Sequence, residues 1–198
     1  MTDADTGDAD WVAQAAAGDG RAFEALYRRH HTALFRTALA MTGQRSAAED
    51  LVQDAFVRAY RYIGRVVLPE GASLRPWLHR IVVNLARDRA ARRRLVTADD
   101  ADLERAAGGG SVERSAERRE VNRIVADAVR SLPFDQRIVV VLFYTQDLDV
   151  GQIAETLGIP PGTVKSRLYY GRARLRAALT ADARLQPEWA MGPVYSDG

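Results

Sequence analysis

The 198-residue sequence contains no cysteine, and it contains no long apolar run. The absence of cysteine excludes disulfide bonds, thiolate catalysis and cysteine-based zinc sites, and it suits a reducing compartment. The longest apolar run, residues 138–144, is far too short to cross a bilayer. The acidic amino terminus lacks the basic start and the apolar stretch of a signal peptide. These absences predict a cytoplasmic protein without membrane insertion.

Lysine is almost absent as well, since Lys165 is the only one among 28 basic residues. The net charge of +2 hides a strong asymmetry. Residues 79–94 hold six arginines against the single Asp88, and residues 162–180 hold five basic residues and no acid. An acidic, glycine-containing stretch separates them. Two basic segments predict two surfaces for one long polyanion, although solvated helix faces would produce the same charge runs.

Apolar residues recur at helical spacing along most of the chain, and neither strand alternation nor repeats are found. Ser46 and Glu49 fit a capping box at the start of the third helix. The predicted helices cover residues 11–17, 21–41, 47–63, 74–94, 116–131, 134–145, 150–157 and 161–179. The sequence therefore predicts an all-α fold of two small helical domains joined by a flexible linker. The expected segments are a disordered amino terminus (1–9), a first domain (10–95), a linker (96–115), a second domain (116–180) and a tail (181–198).

The most informative motif is a helix-turn-helix in residues 149–179. Asp149 and Gln152 fit a capping box, Gly158 suits a left-handed turn, and Pro161 fits the first position of the following helix. Such a unit can place its second helix in the major groove of DNA, whereas an ordinary helical hairpin would only expose a basic face. The residues predicted to contact bases or phosphates are Thr163, Lys165, Ser166, Arg167, Tyr169, Arg172, Arg174 and Arg176.

Several motifs together resemble one family. LPFDQR at 132–137, QIAE at 152–155, GTVKSRL at 162–168 and GRARLR at 171–176 resemble region 4 of the extracytoplasmic-function (ECF) sigma factors of bacteria. AFEALY at 22–27, AEDLVQDAF at 48–56 and WLHRIVVNLARD at 77–88 resemble region 2 of the same family. The resemblance covers residues 10–180 and implies a factor that binds RNA polymerase core enzyme and the minus-thirty-five and minus-ten elements of promoter DNA. It also implies control by an anti-sigma factor, and no cofactor is expected.

The resemblance implies two sites in the first domain. The third helix would dock on the clamp helices of the largest polymerase subunit, through Asp50, Leu51, Gln53, Asp54 and Val57. The fourth helix would open and bind the minus-ten element, through Trp77, Arg80, Asn84, Arg87, Asp88 and Arg92. The loop at 64–73 corresponds to the family's pocket for an extruded base. Trp77 could equally be a core residue, since aromatic side chains at helical spacing usually pack inside.

Three other functions stay open at this point. A two-domain helix-turn-helix repressor or activator would explain residues 150–179, but it would give no purpose to residues 77–94. An enzyme is disfavoured, because His30 and His31 are adjacent on a helix and point in different directions, with no third partner in the sequence. An adaptor that only binds other proteins is the third alternative. Co-purification with core polymerase separates the first of these from a sigma factor.

Overall fold

The computed structural model describes residues 7–96 and 114–182, and within these two stretches the chain forms helices and no strand. The helices are α1 (Asp8–Ala16), α2 (Gly20–Thr42), α3 (Arg45–Tyr62), α4 (Arg75–Val96), α5 (Arg114–Ser131), α6 (Phe134–Thr145), α7 (Val150–Leu157) and α8 (Pro161–Ala181), with a short 3-10 turn at Ile63–Arg65. The all-α prediction is confirmed. We call α1–α4 the first half and α5–α8 the second half.

The first half packs around α2, whose apolar residues recur every three or four positions and so form one buried stripe. Leu26, Leu34 and Ala38 on this stripe are almost completely buried. The third helix packs against α2 with a buried stripe that includes Val52, Phe56 and Ala59, and the following Ile63 is buried as well. These packed faces turn the remaining surfaces of α3 and α4 toward solvent.

The junction between α2 and α3 differs from the prediction. Gly43 ends α2 in the left-handed conformation, with φ of 72°. The third helix then begins at Arg45 with Gln44 as its N-cap, and no side chain caps it. Ser46 therefore lies inside the first turn, where its hydroxyl cannot act as the N-cap, and the capping box predicted there is wrong.

Asp8 organises the amino-terminal end of the fold. Its buried carboxylate accepts hydrogen bonds from Arg29 Nη1 at 3.1 Å, Ser73 Oγ at 3.0 Å and the Leu74 amide at 2.7 Å, and it lies 2.9 Å from His30 Nε2. One carboxylate thus joins α1 to α2 and to the start of α4. The expectation of disorder through residue 9 is wrong, because α1 begins at Asp8; residues 1–6 lie outside the described part of the chain.

The helix-turn-helix of the second half has the predicted caps. Asp149 Oδ1 accepts from the Gln152 amide at 2.9 Å, and Gln152 Oε1 accepts from the Asp149 amide at 3.0 Å. Gly158 ends α7 with φ of 64°, and Pro161 opens α8 at its first turn. Val164 of α8 is fully buried in the hydrophobic core.

Gly171 lies where α8 packs closely against α6. A Cβ added to it would lie 2.8 Å from Val140 Cγ2, which is shorter than side-chain packing tolerates. We expect Gly171→Val to lower the free energy of unfolding by about 2 kcal/mol, because the extra atoms must push α8 away from α6. Gly162→Ala is the matched control, since a Cβ there meets nothing within 4 Å. Urea unfolding of both variants measures the difference, and equal stabilities would contradict this account of the contact.

The two halves also pack against each other. The Arg75 side chain donates to Gln146 Oε1 at 3.3 Å, and Arg137 Nη1 donates to the Met41 carbonyl at 3.1 Å, at the carboxyl end of α2. A cleft of about 900 Å³ runs between the halves. Most of the predicted linker, and nearly all of the predicted tail, lies outside the described residues, so the domain boundaries stay predictions. Within the described ranges, no helix is long and apolar enough to span a membrane.

Candidate nucleic-acid interface

The solvent-facing side of α3 carries four of the five residues predicted to bind polymerase. Asp50, Gln53, Asp54 and Val57 are exposed, and Val57 keeps 47% of its surface in water. Leu51 is fully buried in the core of the first half, so its side chain cannot contact a partner and that assignment is wrong. The remaining face combines carboxylates, an amide and an apolar side chain, which suits a helical partner that carries basic residues.

An aromatic groove between α2 and α3 adjoins this face and was not predicted from the sequence. Its floor is a row of rings at four-residue spacing along α2, and the groove encloses about 620 Å³. Gln53 and Val57 also line it, so the polar face of α3 and the groove form one continuous surface. The row consists of Phe23, Tyr27, His31 and Phe35. Their spacing was visible in the sequence, but spacing alone does not tell an aromatic stripe beside a groove from one in the core.

The outer side of α4 presents the polar residues of the predicted minus-ten set. Asn84 and Asp88 are exposed four residues apart, and therefore lie one above the other on the same helical face. Arg80, Arg87 and Arg92 are exposed as well. The face thus offers an amide that can donate and accept hydrogen bonds, together with cations that can follow a phosphate backbone.

Trp77 lies at the edge of this face and is half-buried, so it is partly a core residue, and its contact with the minus-ten element stays a prediction. One side of the ring system packs on the core of the first half. Trp77 also lines a pocket of about 460 Å³, together with Tyr62 and with Val66 and Val67 from the 64–73 loop. Val67 is 93% exposed. The loop therefore contributes to an open, partly aromatic pocket beside α4, of a size that admits a base.

The exposed side of α8 carries the cations predicted to bind the minus-thirty-five element. Exposed side chains along it are Lys165, Ser166, Tyr169, Arg172, Arg174 and Arg176. Thr163 is half-buried, and its carbonyl accepts a hydrogen bond from Ser166 Oγ at 3.0 Å. Arg167 does not point to solvent in the same way. Its guanidinium turns back to α6, where Arg167 Nη2 lies 2.9 Å from Asp135 Oδ2.

Arg172 is held in place by two rings that the sequence analysis did not single out. Its guanidinium carbon lies 5.1 Å from the ring centre of Phe143 and 5.4 Å from that of Tyr144. Stacking of this kind attracts the cation to the aromatic face and reduces the freedom of a long side chain. Phe143 and Tyr144 at the end of α6 therefore direct a predicted phosphate contact of α8.

His79 is fully buried where α4 meets the second half. Its Nδ1 donates to the Arg75 carbonyl at 2.8 Å, and its Nε2 makes no hydrogen bond within residues 7–96 and 114–182. Burial, assisted by the nearby charge of the Arg75 guanidinium, lowers the pKa of His79 to about 4, and its bond to the Arg75 carbonyl only partly opposes that shift. The imidazole is therefore neutral at pH 7.

The pKa of His79 predicts a loss of stability in mild acid. An unfolded histidine binds a proton below pH 6.5, whereas the folded chain resists protonation of His79 until about pH 4. The free energy of unfolding should therefore fall as the pH falls from 6.5 to 4, by about 3 kcal/mol from this residue. We expect His79→Gln to lose that part of the pH dependence in urea unfolding, with His31→Gln, at a half-buried position of α2, as the control. An unchanged slope in His79→Gln would contradict the assignment.

The other two histidines have different surroundings. His30 is bound to Asp8 in the interior, and His31 faces the aromatic groove, where its ring stacks on Phe35 with ring centres 6.3 Å apart. Among the described residues, no group of three or more histidine, aspartate or glutamate side chains is placed to hold a metal ion. The exposed faces described above carry cations, amides and aromatic rings.

Both halves match known protein families. Residues 26–96 match the family model for Sigma-70 region 2, and residues 122–175 match the model for Sigma-70, region 4. The ECF RNA polymerase sigma factor SigM of Mycobacterium tuberculosis is 38% identical over 173 residues, which cover 87% of this chain and 84% of SigM. The ECF RNA polymerase sigma factor SigW of Bacillus subtilis is 31% identical over 178 residues, covering 85% of this chain and 94% of SigW.

Solved structures give the same match at the level of the fold. CnrH, solved in complex with the cytosolic domain of CnrY, superposes with a TM-score of 0.65 and 30% identity over 89% of this chain and 99% of CnrH. The sigma factor RpoE of Bartonella quintana, solved with the anti-sigma factor NepR, superposes with a TM-score of 0.64 and 26% identity over 81% of this chain and 98% of RpoE.

Proposed function

Because the chain belongs to the sigma-70 family of transcription initiation factors, within its ECF group, we propose that its exposed surfaces on α3, α4 and α8 have separate roles at a promoter. The chain is an RNA polymerase sigma factor. It acts by binding rather than by catalysis, and we expect it to work in the cytoplasm, where polymerase and chromosome meet. One observation carries the proposal: α4 combines an exposed amide-and-cation face with an adjoining aromatic pocket, which a reader of duplex DNA alone would not need.

The second half binds the minus-thirty-five element as duplex. The amino-terminal turn of α8, with Thr163 and Lys165, approaches base edges in the major groove. Arg172, Arg174 and Arg176 lie further along the helix and contact phosphates, which fixes the orientation of the domain but does not specify sequence. Affinity of this part should therefore fall steeply with salt concentration.

The first half holds the minus-ten element as single strand. Asn84 can donate and accept hydrogen bonds with the Watson–Crick edge of an unpaired base, and Trp77 with Tyr62 offers ring surface in the pocket beside it. Stacking contributes roughly 1–3 kcal/mol per base, so a few bound bases offset the separation of a few base pairs. Melting in this scheme needs no nucleotide hydrolysis, but it needs the further DNA contacts of the polymerase.

The polar face of α3 binds core enzyme. Asp50, Gln53, Asp54 and Val57 form it, and the aromatic groove of α2 extends it with apolar surface. Asp54 is held in position by the Arg89 side chain at 2.6 Å. Since the solved relatives CnrH and RpoE are bound to CnrY and to the anti-sigma factor NepR, we also propose an anti-sigma factor as a partner of this chain.

Transcription in vitro tests the proposal. The purified chain is added to sigma-free core enzyme with fragmented genomic DNA, and the 5′ ends of the transcripts are mapped. We expect starts at defined positions that share sequences about 10 and 35 base pairs upstream. A chain that neither associates with core enzyme nor produces defined starts would overturn the proposal, and tight promoter binding by the chain alone at physiological salt would favour a repressor or activator.

A further inference from the structure

Asp135, in the first turn of α6, joins a cation from each of the two predicted DNA-binding sets. Its Oδ2 accepts a hydrogen bond from Arg167 Nη2 at 2.9 Å, and its Oδ1 lies 3.8 Å from Arg87 Nη2. Arg167 belongs to the minus-thirty-five set on α8, and Arg87 belongs to the minus-ten set on α4. Each oxygen of this carboxylate therefore pairs with an arginine, and the two arginines are predicted to bind different stretches of DNA.

A second minus-ten cation also faces the second half. Arg80 Nη2 lies 3.6 Å from the position that a Cβ on Gly158 would occupy, beside the carboxyl end of α7. The last carbonyls of a helix carry partial negative charge, which attracts a guanidinium. Arg80 thus lies beside the carboxyl end of α7, and Arg87 lies beside the carboxylate of Asp135, both in the second half.

We call the structure with its two halves in contact the closed arrangement. In this arrangement the chain cannot bind both promoter elements at once. Elements centred about 25 base pairs apart are separated by roughly 85 Å along a duplex, at about 3.4 Å per base pair. Arg87 and Arg167, in contrast, reach the same carboxylate. The halves must therefore part before α4 and α8 can each bind their own element, and the contacts of Asp135 must break at that step.

We propose that Asp135 acts as an internal substitute for a DNA phosphate and keeps the free chain closed until DNA or polymerase separates the halves. The inference rests on the proposed DNA contacts of Arg87 and Arg167. Carboxylates and phosphates bind guanidinium groups in the same way, so the two compete for the same cations. Asp135 is half-exposed, and its ion pairs are correspondingly weak and screened by salt. When these ion pairs break, apolar contacts between the halves remain. The latch therefore shifts the equilibrium between closed and separated halves, but it does not determine that equilibrium alone.

Distance measurements on the free chain test the latch. The sequence has no cysteine, so Gln14→Cys on α1 and Ala177→Cys on α8 introduce two exposed attachment sites for spin labels. Asp135→Asn is compared with Glu24→Gln, which removes the same charge from an intrahelical pair with Arg28. We expect Asp135→Asn alone to shift the label distances toward longer values and to bind duplex promoter about five-fold more tightly, the gain that one to two exposed ion pairs represent.

The unsubstituted chain supplies a second measurement. Its label distances should lengthen between low salt and about 0.5 M sodium chloride, where exposed ion pairs are screened, and Asp135→Asn should respond less. Identical distances in the unsubstituted chain and Asp135→Asn, or an equal gain of DNA binding in Glu24→Gln, would overturn the latch. Neither result would touch the proposed function, because transcription from defined starts with core enzyme is measured separately.

Discussion

Asp8→Ala will lower the free energy of unfolding by about 3 kcal/mol, although the exchange removes no apolar side chain from the core. The substitution removes the carboxylate and leaves four donors, two from α2 and two just before α4, without their acceptor. The Leu74 amide and the Ser73 hydroxyl lose their bonds at the start of α4, and His30 loses its partner in the interior. Removing one member of a buried charged network lowers the free energy of unfolding by more than the intact network adds to it. The remaining polar groups stay buried without their partner.

Asp10→Ala is the matched control for Asp8→Ala. Asp10 lies in the same first turn of α1 but is exposed, so its removal should change stability by only a few tenths of a kcal/mol through the helix dipole. Chemical denaturation of both variants at pH 7 gives the comparison. Equal losses would mean that Asp8 acts only through the charge at the start of α1 and not through its contacts with α2 and α4.

The contribution of Asp8 should also depend on pH in a definite direction. Burial alone raises the pKa of this carboxyl, but the hydrogen bonds from His30 and from the Leu74 amide, with the charge of His30, outweigh burial and hold its pKa well below the ordinary 3.8. A depressed pKa stabilises the fold above the unfolded value and loses that effect as pH falls toward the folded value. The difference between the unsubstituted chain and Asp8→Ala should therefore shrink below about pH 4. His79 loses its own contribution in the separate window between pH 6.5 and 4.

The helices themselves were predictable from the sequence because local signals bound them. The ranges 134–145 and 150–157 coincide with α6 and α7, where Pro133 precedes one helix and Asp149 with Gly158 brackets the other. Cap residues and turn glycines act within a few positions of the chain, so periodicity and turn chemistry are enough to locate them. The family resemblance then supplied the order of the two halves and their function, which the comparisons confirm.

Contacts between distant segments were not predictable. Asp8 resembles the other acids of a polar amino terminus, and only the packed structure brings it to residues more than sixty positions away. Leu51 fell within the docking motif by position, whereas the 100° turn per residue of a helix carries it from the exposed side of Asp50 into the core. The shared carboxylate of Asp135 likewise depends on how α4, α6 and α8 meet. Which side chains bind DNA and polymerase stays a prediction.

The largest effect on promoter opening is expected from a residue that contributes nothing to the core. Asn84 is exposed midway along α4, on the face that we assign to the unpaired minus-ten strand. Truncation of its side chain should leave folding and polymerase binding unchanged, because it faces away from α2 and α3. Any loss of transcription would then come from the DNA contact itself.

Asn84→Ala should reduce open-complex formation on a duplex promoter by about ten-fold, the loss of one polar base contact of roughly 1–3 kcal/mol. Asn122→Ala removes the same side chain from an exposed position of α5 and should have no effect. Permanganate reactivity of unpaired thymines, measured with saturating holoenzyme, reports the open fraction directly. A second template carries a mismatched minus-ten region, so no base pairs need to be separated. The contact between residue 84 and the base is still lost there. We therefore expect holoenzyme with Asn84→Ala to bind this template more weakly than the unsubstituted holoenzyme. Full recovery on that template would assign Asn84 to strand separation instead of base recognition.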